Sequence, residues 1–400
     1  MAIASGIEKL TVFLKQSALG SASAGAGGEI ARRTSSVMRS ERDTFESNEI
    51  VDHHQSTGVT YGLQKAEGKI DGLLSAGTFS EFLGSIVEQD FVAGSIHASS
   101  TITYAGTTPN WTATGTGFWT TGLKKGDVIR ATTGSVSGNN SRNFLITNVT
   151  DTVITFRALD GATVTGGAST TTVLTVQGKK ALAPITAHTK DYYTIEEWYA
   201  TLSRSETFID MRVGQIDVSL PAGDNATISV DFVGLSRVLG GSQILTSPTS
   251  TTTSIMTAIN GIISIDGTVQ DNASAISFTI TNSATNAGAV IGSNFGQDVT
   301  TGRIQVSGTF TALFDAVALQ TLYDNETNTS INVALTGDNT GTADFMSFTM
   351  DRIKITGDTP DDGEKAIMRT YPFTAEYNSV GGAGTATDQT IISIQDSAAA

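Results

Sequence analysis

Lys69-Ile70-Asp71-Gly72, followed by Thr78-Phe79-Ser80-Glu81 and then Phe82, Leu83, Ile86 and Val87, is the stretch on which the fold turns. It reads as a strand closing on Ile-x-Gly, a capping box, and a short amphipathic helix whose apolar residues recur at helical spacing. The same statement is made a second time. Val306-Ser307-Gly308 leads to Asp315, a helix N-cap, with Ala316, Leu319, Leu322 and Tyr323 spaced along the helix behind it. Each copy continues into a hairpin. In the first, Ile216, Val218 and Leu220 alternate into the turn Pro221-Ala222-Gly223-Asp224 and out through Ala226, Ile228, Val230 and Phe232; in the second, Ile353 and Ile355 lead through Asp361-Asp362-Gly363-Glu364 to Ile367, Tyr371, Phe373, Ala375 and Tyr377. Two occurrences predict a duplicated, mainly β fold that supplies either two stacked domains or two positions of a ring.

Composition narrows the class. The 400 residues include no Cys, which excludes a disulfide framework, a Cys-ligated zinc site and a thiol nucleophile. Charged residues make up only 16% of the chain, a low share that suits extensive subunit contact. No stretch reaches the roughly 18 apolar residues of a membrane span, and Met1-Ala2-Ile3-Ala4-Ser5-Gly6 does not resemble an export signal, so synthesis and assembly in the cytoplasm are expected.

Charge divides the chain into parts. Residues 95–181 hold seven Lys or Arg against three Asp, a net of +4 in a chain whose total is −15. This segment lies between the helix and hairpin of the first copy, where the second copy has only a short connection, so it reads as an inserted small β-barrel or sandwich of Thr-rich strands. Gly240 to Thr257 reads as a polar linker. The expected domains are an N-terminal arm (1–29), a first β domain (30–94 with 182–245), the insertion (95–181), a second β domain (246–378) and a C-terminal arm (379–400), the arms being ordered by neighbouring chains.

Catalytic chemistry is hard to place. His53 and His54 are adjacent, so an extended chain points them to opposite faces, and His97 and His188 have no acid and nucleophile spaced around them. The run Asp358 to Glu364 lacks the alternating acids of a calcium loop. Trp111, Trp119, Trp198 and Tyr199 read as core or interface aromatics. No catalytic residue, metal site or cofactor is expected. Arg32, Arg33, Arg39 and Arg42 form a basic cluster interspersed with Glu29, Glu41, Asp43, Glu46 and Glu49, which suits intersubunit salt bridges better than phosphate contacts.

The stretch from Arg32-Arg33-Thr34-Ser35-Ser36 through Asp43 to Ile50, then Glu67 to Gly72 with Ser75, Gly77 and Thr78, resembles the tail-tube proteins of long non-contractile-tailed bacteriophages. Tyr193-Thr194-Ile195-Glu196, the Gln215 to Phe232 hairpin, Gly302 to Gly308 and Asp361 to Lys365 extend the resemblance in order along the chain. It implies two tandem tail-tube domains, each of two packed antiparallel sheets with one flanking helix, around the inserted domain. It further implies a virion protein without enzymatic activity, polymerising as stacked rings around a channel for genome ejection. The expected partners are other copies in trimeric, pseudo-hexameric rings, the tape-measure protein, tail tip and tail terminator proteins, and double-stranded DNA in non-specific transit. Residues 246–400 carry sixteen acids against five bases, which predicts an acidic conduit; the candidate lumen residues are Asp71, Asp217, Asp231, Gln305 and Asp351. Another virion role, in tail completion or the baseplate, shares these features. A surface-layer or adhesin protein shares the composition but needs an export signal, and a carbohydrate-active enzyme needs an aromatic platform beside a carboxylate pair.

Overall fold

A computed structural model describes residues 3–315, 317–361 and 364–400. In chain order the principal elements begin with β1 (Lys9–Lys15), β2 (Ser35–Glu46), β3 (Val59–Leu73) and α1 (Ser80–Ile86). The insertion follows as β4 (Ile96–Thr107), β5 (Asn110–Thr114), β6 (Val128–Thr133), β7 (Asn143–Val149), β8 (Val153–Ala158) and β9 (Gly167–Val176). The chain returns through β10 (Lys179–Leu182), β11 (Tyr193–Tyr199), β12 (Arg204–Pro221), β13 (Thr227–Gly234) and β14 (Ser236–Gly240). The remaining elements are β15 (Gly261–Ile265), β16 (Ala273–Thr281), β17 (Gln305–Leu313), α2 (Ala318–Asp324), β18 (Thr329–Thr336), β19 (Phe345–Ile355), β20 (Met368–Ala375) and β21 (Ser393–Asp396).

Strand pairing follows one order twice. In the first half the antiparallel neighbours run β1, β11, β12, β13, β3, β2. In the second they run β15, β18, β19, β20, β17, β16. The Ile-x-Gly signal occupies the same place in both, and a side chain there has no room: a Cβ on Gly72 would meet the ring of Phe79, and one on Gly308 the ring of Phe373. β12 and β19 each serve two sheets. The first half of β12 pairs with β11 and β14, then a register shift at Val213 carries its second half over to β13 and β16. In β19 the residues from Phe345 to Ile353 pair with β18, Met346 to Thr349 also with β21, and Ile353 to Ile355 with β20.

The space between the sheets holds most of the apolar core. α1 contributes Phe82, whose ring lies 4.4 Å from that of Phe13, 5.1 Å from Phe232 and 5.2 Å from Tyr193. Neither helix is capped as the sequence predicts. The Thr78 hydroxyl is hydrogen-bonded with those of Ser75 and Thr251 instead of with the helix terminus. The Asp315 carboxylate accepts from Asn272, and α2 starts only at Ala318 with Leu319 as its one buried residue among those described. Ala316, expected in that helix, lies outside the described residues, as do Asp362 and Gly363 of the second hairpin turn.

The insertion is a closed six-stranded barrel, in the order β8, β5, β4, β9, β6, β7. Ile102, Trp111, Phe118, Phe144, Phe156 and Leu174 fill it. Val128, Leu145 and Leu159 on its outside pack against Ala334 and Phe345 of β18 and β19, so the barrel is docked on the second half of the chain.

The two arms are corrected by the structure. β1 pairs along its whole length with β11, and β21 lies between β10 and β19 with Ile392 and Ile394 fully buried. Both segments alternate apolar residues into the core, and that burial orders them inside their own chain. The Gly240 to Thr257 run is likewise pinned rather than a free linker: Glu196 accepts the backbone N–H groups of Ile244 and Leu245 at 2.8 and 2.7 Å, and Leu245 and Met256 are buried.

Candidate functional site: an open eight-stranded face

β12 and β16 pair directly, Asp217 opposite Thr279, so the halves share one continuous sheet of eight strands in the order β2, β3, β13, β12, β16, β17, β20, β19. One face of it is buried. Ile70, Val230, Val218, Phe278, Phe310 and Phe373 point into the core, so the residues between them stand on the other face. A single row crosses all eight strands: Ser35, Asp71, Ser229, Asp217, Thr279, Ser307, Thr374 and Lys354. The next row contains Val37, Lys69, Asp231, Gln215, Thr281 and Gln305.

Hydroxyls and acids on this face bind one another. Ser35 and Ser229 each donate to Asp71 at 2.6 Å, Thr279 donates to Asp217 at 2.6 Å, and Gln215 donates to Asp217 at 3.0 Å. Burial raises the Asp71 carboxyl, but the two hydroxyl donors and Lys69 outweigh it and hold the group below its ordinary value. Asp231 is shifted the other way, by burial first and by the nearby Asp217 and Asp71, although Lys69 lies 3.8 Å away. The serine and threonine hydroxyls are tied to these carboxylates as hydrogen-bond donors. The arrangement is a fixed, polar, hydroxyl-lined wall.

Of the five residues proposed from the sequence, Asp71, Asp217, Asp231 and Gln305 stand on this face. Asp351 does not. It shares the parity of the buried Ile353 and Ile355 and not that of Lys354, and it lies under the C-terminal segment beside a bulge at which Ile331 pairs with Met350 and Thr329 with Ile353. Its Oδ2 accepts the Asp388 N–H at 3.0 Å, and its buried Oδ1 has no partner among the described residues. Burial, aided by Asp388, pushes this carboxyl up to about 7. Nearby, Lys180 reaches both Asp127 and Asp388 at 2.5 Å; burial opposes its charge, but the two carboxylates prevail and keep the ammonium protonated. The positive charge of the insertion is thus partly spent on docking. Lys124 adds bonds to the carbonyls of Gly382 and Thr385, and Lys125 one to Ser330.

The arginine cluster is dispersed. Arg32 donates to the Thr253 carbonyl at 2.7 Å, and Arg33 to the Lys9 carbonyl and to Thr11. Arg39 pairs with Glu41 and Glu67 and stays 61% exposed, while Arg42 donates to Gln64. Sequence reasoning missed the hydroxyls of the second half, where the open face bears Ser277, Thr279, Thr281, Ser307, Thr309 and Thr374 instead of the expected acids. The alternating Ser and Thr of 277–281 and 307–311 carried that signal.

A family model described as phage tail tube protein matches residues 9–375. The chain belongs to the phage tail tube protein family. As a member it is a structural protein of the virion tail that assembles with copies of itself into a tube. No curated protein matches it. Among the described residues no helix is long and apolar enough to cross a membrane.

Proposed function

We propose that three chains close into a ring with pseudo-sixfold symmetry and that such rings stack into the tube of a long, non-contractile siphophage tail. In this reading the first tube domain is residues 30–94 with 182–245, the second is 246–378, and the barrel is carried on the outer surface. The observation that supports it is the open sheet: it runs without a break through both halves of the chain, from β2, which pairs only with β3 among the described residues, to the end of β19. Three sheets of eight strands make a barrel of twenty-four. With strands ~4.8 Å apart and tilted about 40°, its backbone diameter is roughly 48 Å, wide enough for a nucleic acid duplex inside the side chains.

The wall would be the polar face, with Asp71, Asp217, Asp231 and Gln305 toward the lumen. Acids and hydroxyls without a cationic stripe repel or ignore phosphate, whereas Lys and Arg would bind it by counterion release and retard transit. The genome, passing during ejection, and the tape-measure protein before it are then transient occupants held by no specific contact, and the tail tip and terminator proteins cap the two ends. Arg39 and Arg42, on the exposed β2, are available for salt bridges between subunits. Electron cryomicroscopy of assembled tubes tests the reading. Three chains per ring with a polar, non-basic lumen are expected, and six chains per ring or a positive channel surface refute it.

A further inference from the structure

Away from the open face, three buried charges meet where the barrel joins the C-terminal segment. Lys180, on β10 just after the barrel closes, extends its ammonium between Asp127 of the barrel and Asp388, 2.5 Å from a carboxylate oxygen of each. The three residues are 8%, 2% and 8% exposed. The two contacts differ in kind. Nζ donates a hydrogen bond to Asp127 Oδ1, whereas Asp388 Oδ2 accepts no hydrogen bond among the described residues although Nζ is equally close to it. By comparison the Lys9–Glu197 ion pair is an aligned hydrogen bond of 2.7 Å to a single carboxylate. Each member of the buried triad is fixed in place. β10 is held between β21 on one side and Val92 and Ala93 on the other. The second oxygen of Asp127 accepts the Lys124 N–H at 2.8 Å. Asp388 donates its N–H to Asp351 at 3.0 Å, and its carbonyl accepts from Asn378 at 2.8 Å. An amine, a carboxyl group against it and a second carboxylate able to take and return a proton are thus preorganised away from water.

We propose that the folded chain joins Lys180 to Asp388 by an intramolecular amide bond, with Asp127 as the proton carrier. Asp127 takes one proton from the Lys180 ammonium, and the freed amine attacks Cγ of Asp388. As the Nζ–Cγ bond forms, one Asp388 oxygen receives the proton from Asp127 and a second proton from the nitrogen, and the Cγ–O bond breaks to release water. The nitrogen keeps one of its three protons, Asp127 ends as it began, and no co-reactant is consumed. In water an ammonium and a carboxylate stay apart as solvated ions. In this interior the same ions are costly, and a neutral amide replaces two of the three buried charges. The bond clasps the strand that leaves the barrel to a segment beyond the residues 9–375 matched by the family model, so a pull on the barrel meets a covalent link as well as hydrogen bonds.

Mass spectrometry of the purified full chain, denatured after folding, tests the bond. The chain should be lighter than its sequence by one water, and a tryptic digest should contain a branched peptide joining Lys180 to Asp388 and uncut after Lys180. A succinimide at an Asp-Gly step such as Asp266-Gly267 also removes one water, so the sample is treated with hydroxylamine, which opens a succinimide and leaves the amide. Lys180→Arg, which keeps the charge, and Asp388→Ala should each restore the full sequence mass. Asp127→Asn should slow formation of the branch about a hundredfold in a time course after refolding. Where a variant fails to fold, the peptide map of the wild-type chain decides alone. A wild-type chain that keeps its full mass after prolonged incubation in the folded state, or a branch from Lys180 to Asp127 in place of Asp388, overturns the proposal. Formation at the parental rate in folded Asp127→Asn refutes proton transfer through Asp127.

Discussion

Replacing Asp351 by Asn should stabilise the chain, and should do so only where the native carboxyl is ionised. Folded, the Asp351 carboxyl sits at about 7 against an ordinary 3.8 because it is buried beside Asp388. A carboxyl raised in this way binds a proton more tightly in the folded chain than in the unfolded one. Its contribution to stability is therefore lost as pH rises through the interval from about 4 to 7 and is restored by acid. At 1.36 kcal/mol per pH unit, that interval sets a ceiling of ~4 kcal/mol on the penalty above neutrality; relaxation around the site brings the expected gain to about 1–3 kcal/mol. Asparagine keeps an acceptor for the Asp388 N–H and never ionises. Urea unfolding of unassembled chain, followed by tryptophan fluorescence at pH 8 and at pH 4.5, measures the difference. The Asn variant should unfold at higher urea at pH 8 and nearly together with the parent at pH 4.5. A loss of stability at pH 8, or a gain of equal size at both pH values, would refute the account of this site.

Other outcomes follow from the packing and the open face. Phe82→Ala empties the centre of a fully buried aromatic cluster and should cost ~3–5 kcal/mol in chemical unfolding. Deleting the barrel, residues 96–176, with a short linker uncovers Ala334 and Phe345; the melting temperature should fall, yet tubes should still form under negative stain because the barrel packs on β18 and the first half of β19, away from the open face. Asp217→Lys with Asp231→Lys should leave tube length normal and slow genome delivery, most at low ionic strength, as followed by potassium release or DNA entry into host cells. Delivery at the parental rate across salt concentrations would remove electrostatics from the account of the conduit.

What could be read in advance depended on how local the cause was. The Gly in Ile70-Asp71-Gly72 and in Val306-Ser307-Gly308 is required by an aromatic ring at fixed depth in the sandwich, so both sites were visible as a short motif. The hairpin from Ile216 to Phe232 obeys a strict two-residue period, and its open-face residues were legible with it. Asp351 was misplaced against the phase of its own strand, in which it shares a face with the buried Ile353 and Ile355. The helix caps failed because hydroxyls have many competitors: Thr78 found Ser75 and Thr251, the latter distant in sequence. The termini were misjudged for a related reason. Their partners, β11 for one and β10 and β19 for the other, are far along the chain, and composition alone cannot distinguish a segment that pairs at long range from one that waits for another molecule.

The β12–β16 joint also bears on the rate at which a ring can be built. Because the two halves are tethered, half of the lateral joints in a three-chain ring exist before any chains collide, at an effective concentration set by the chain itself. Three joints then remain to be made where separate halves would need six. In the ring proposed above, the tether would have a second effect, on what the outside of the tube displays. Separate identical units would have to be alike at every position, whereas a fused pair lets one half carry a barrel and the other form the bed on which it rests, so that appendages alternate with seats around the circumference.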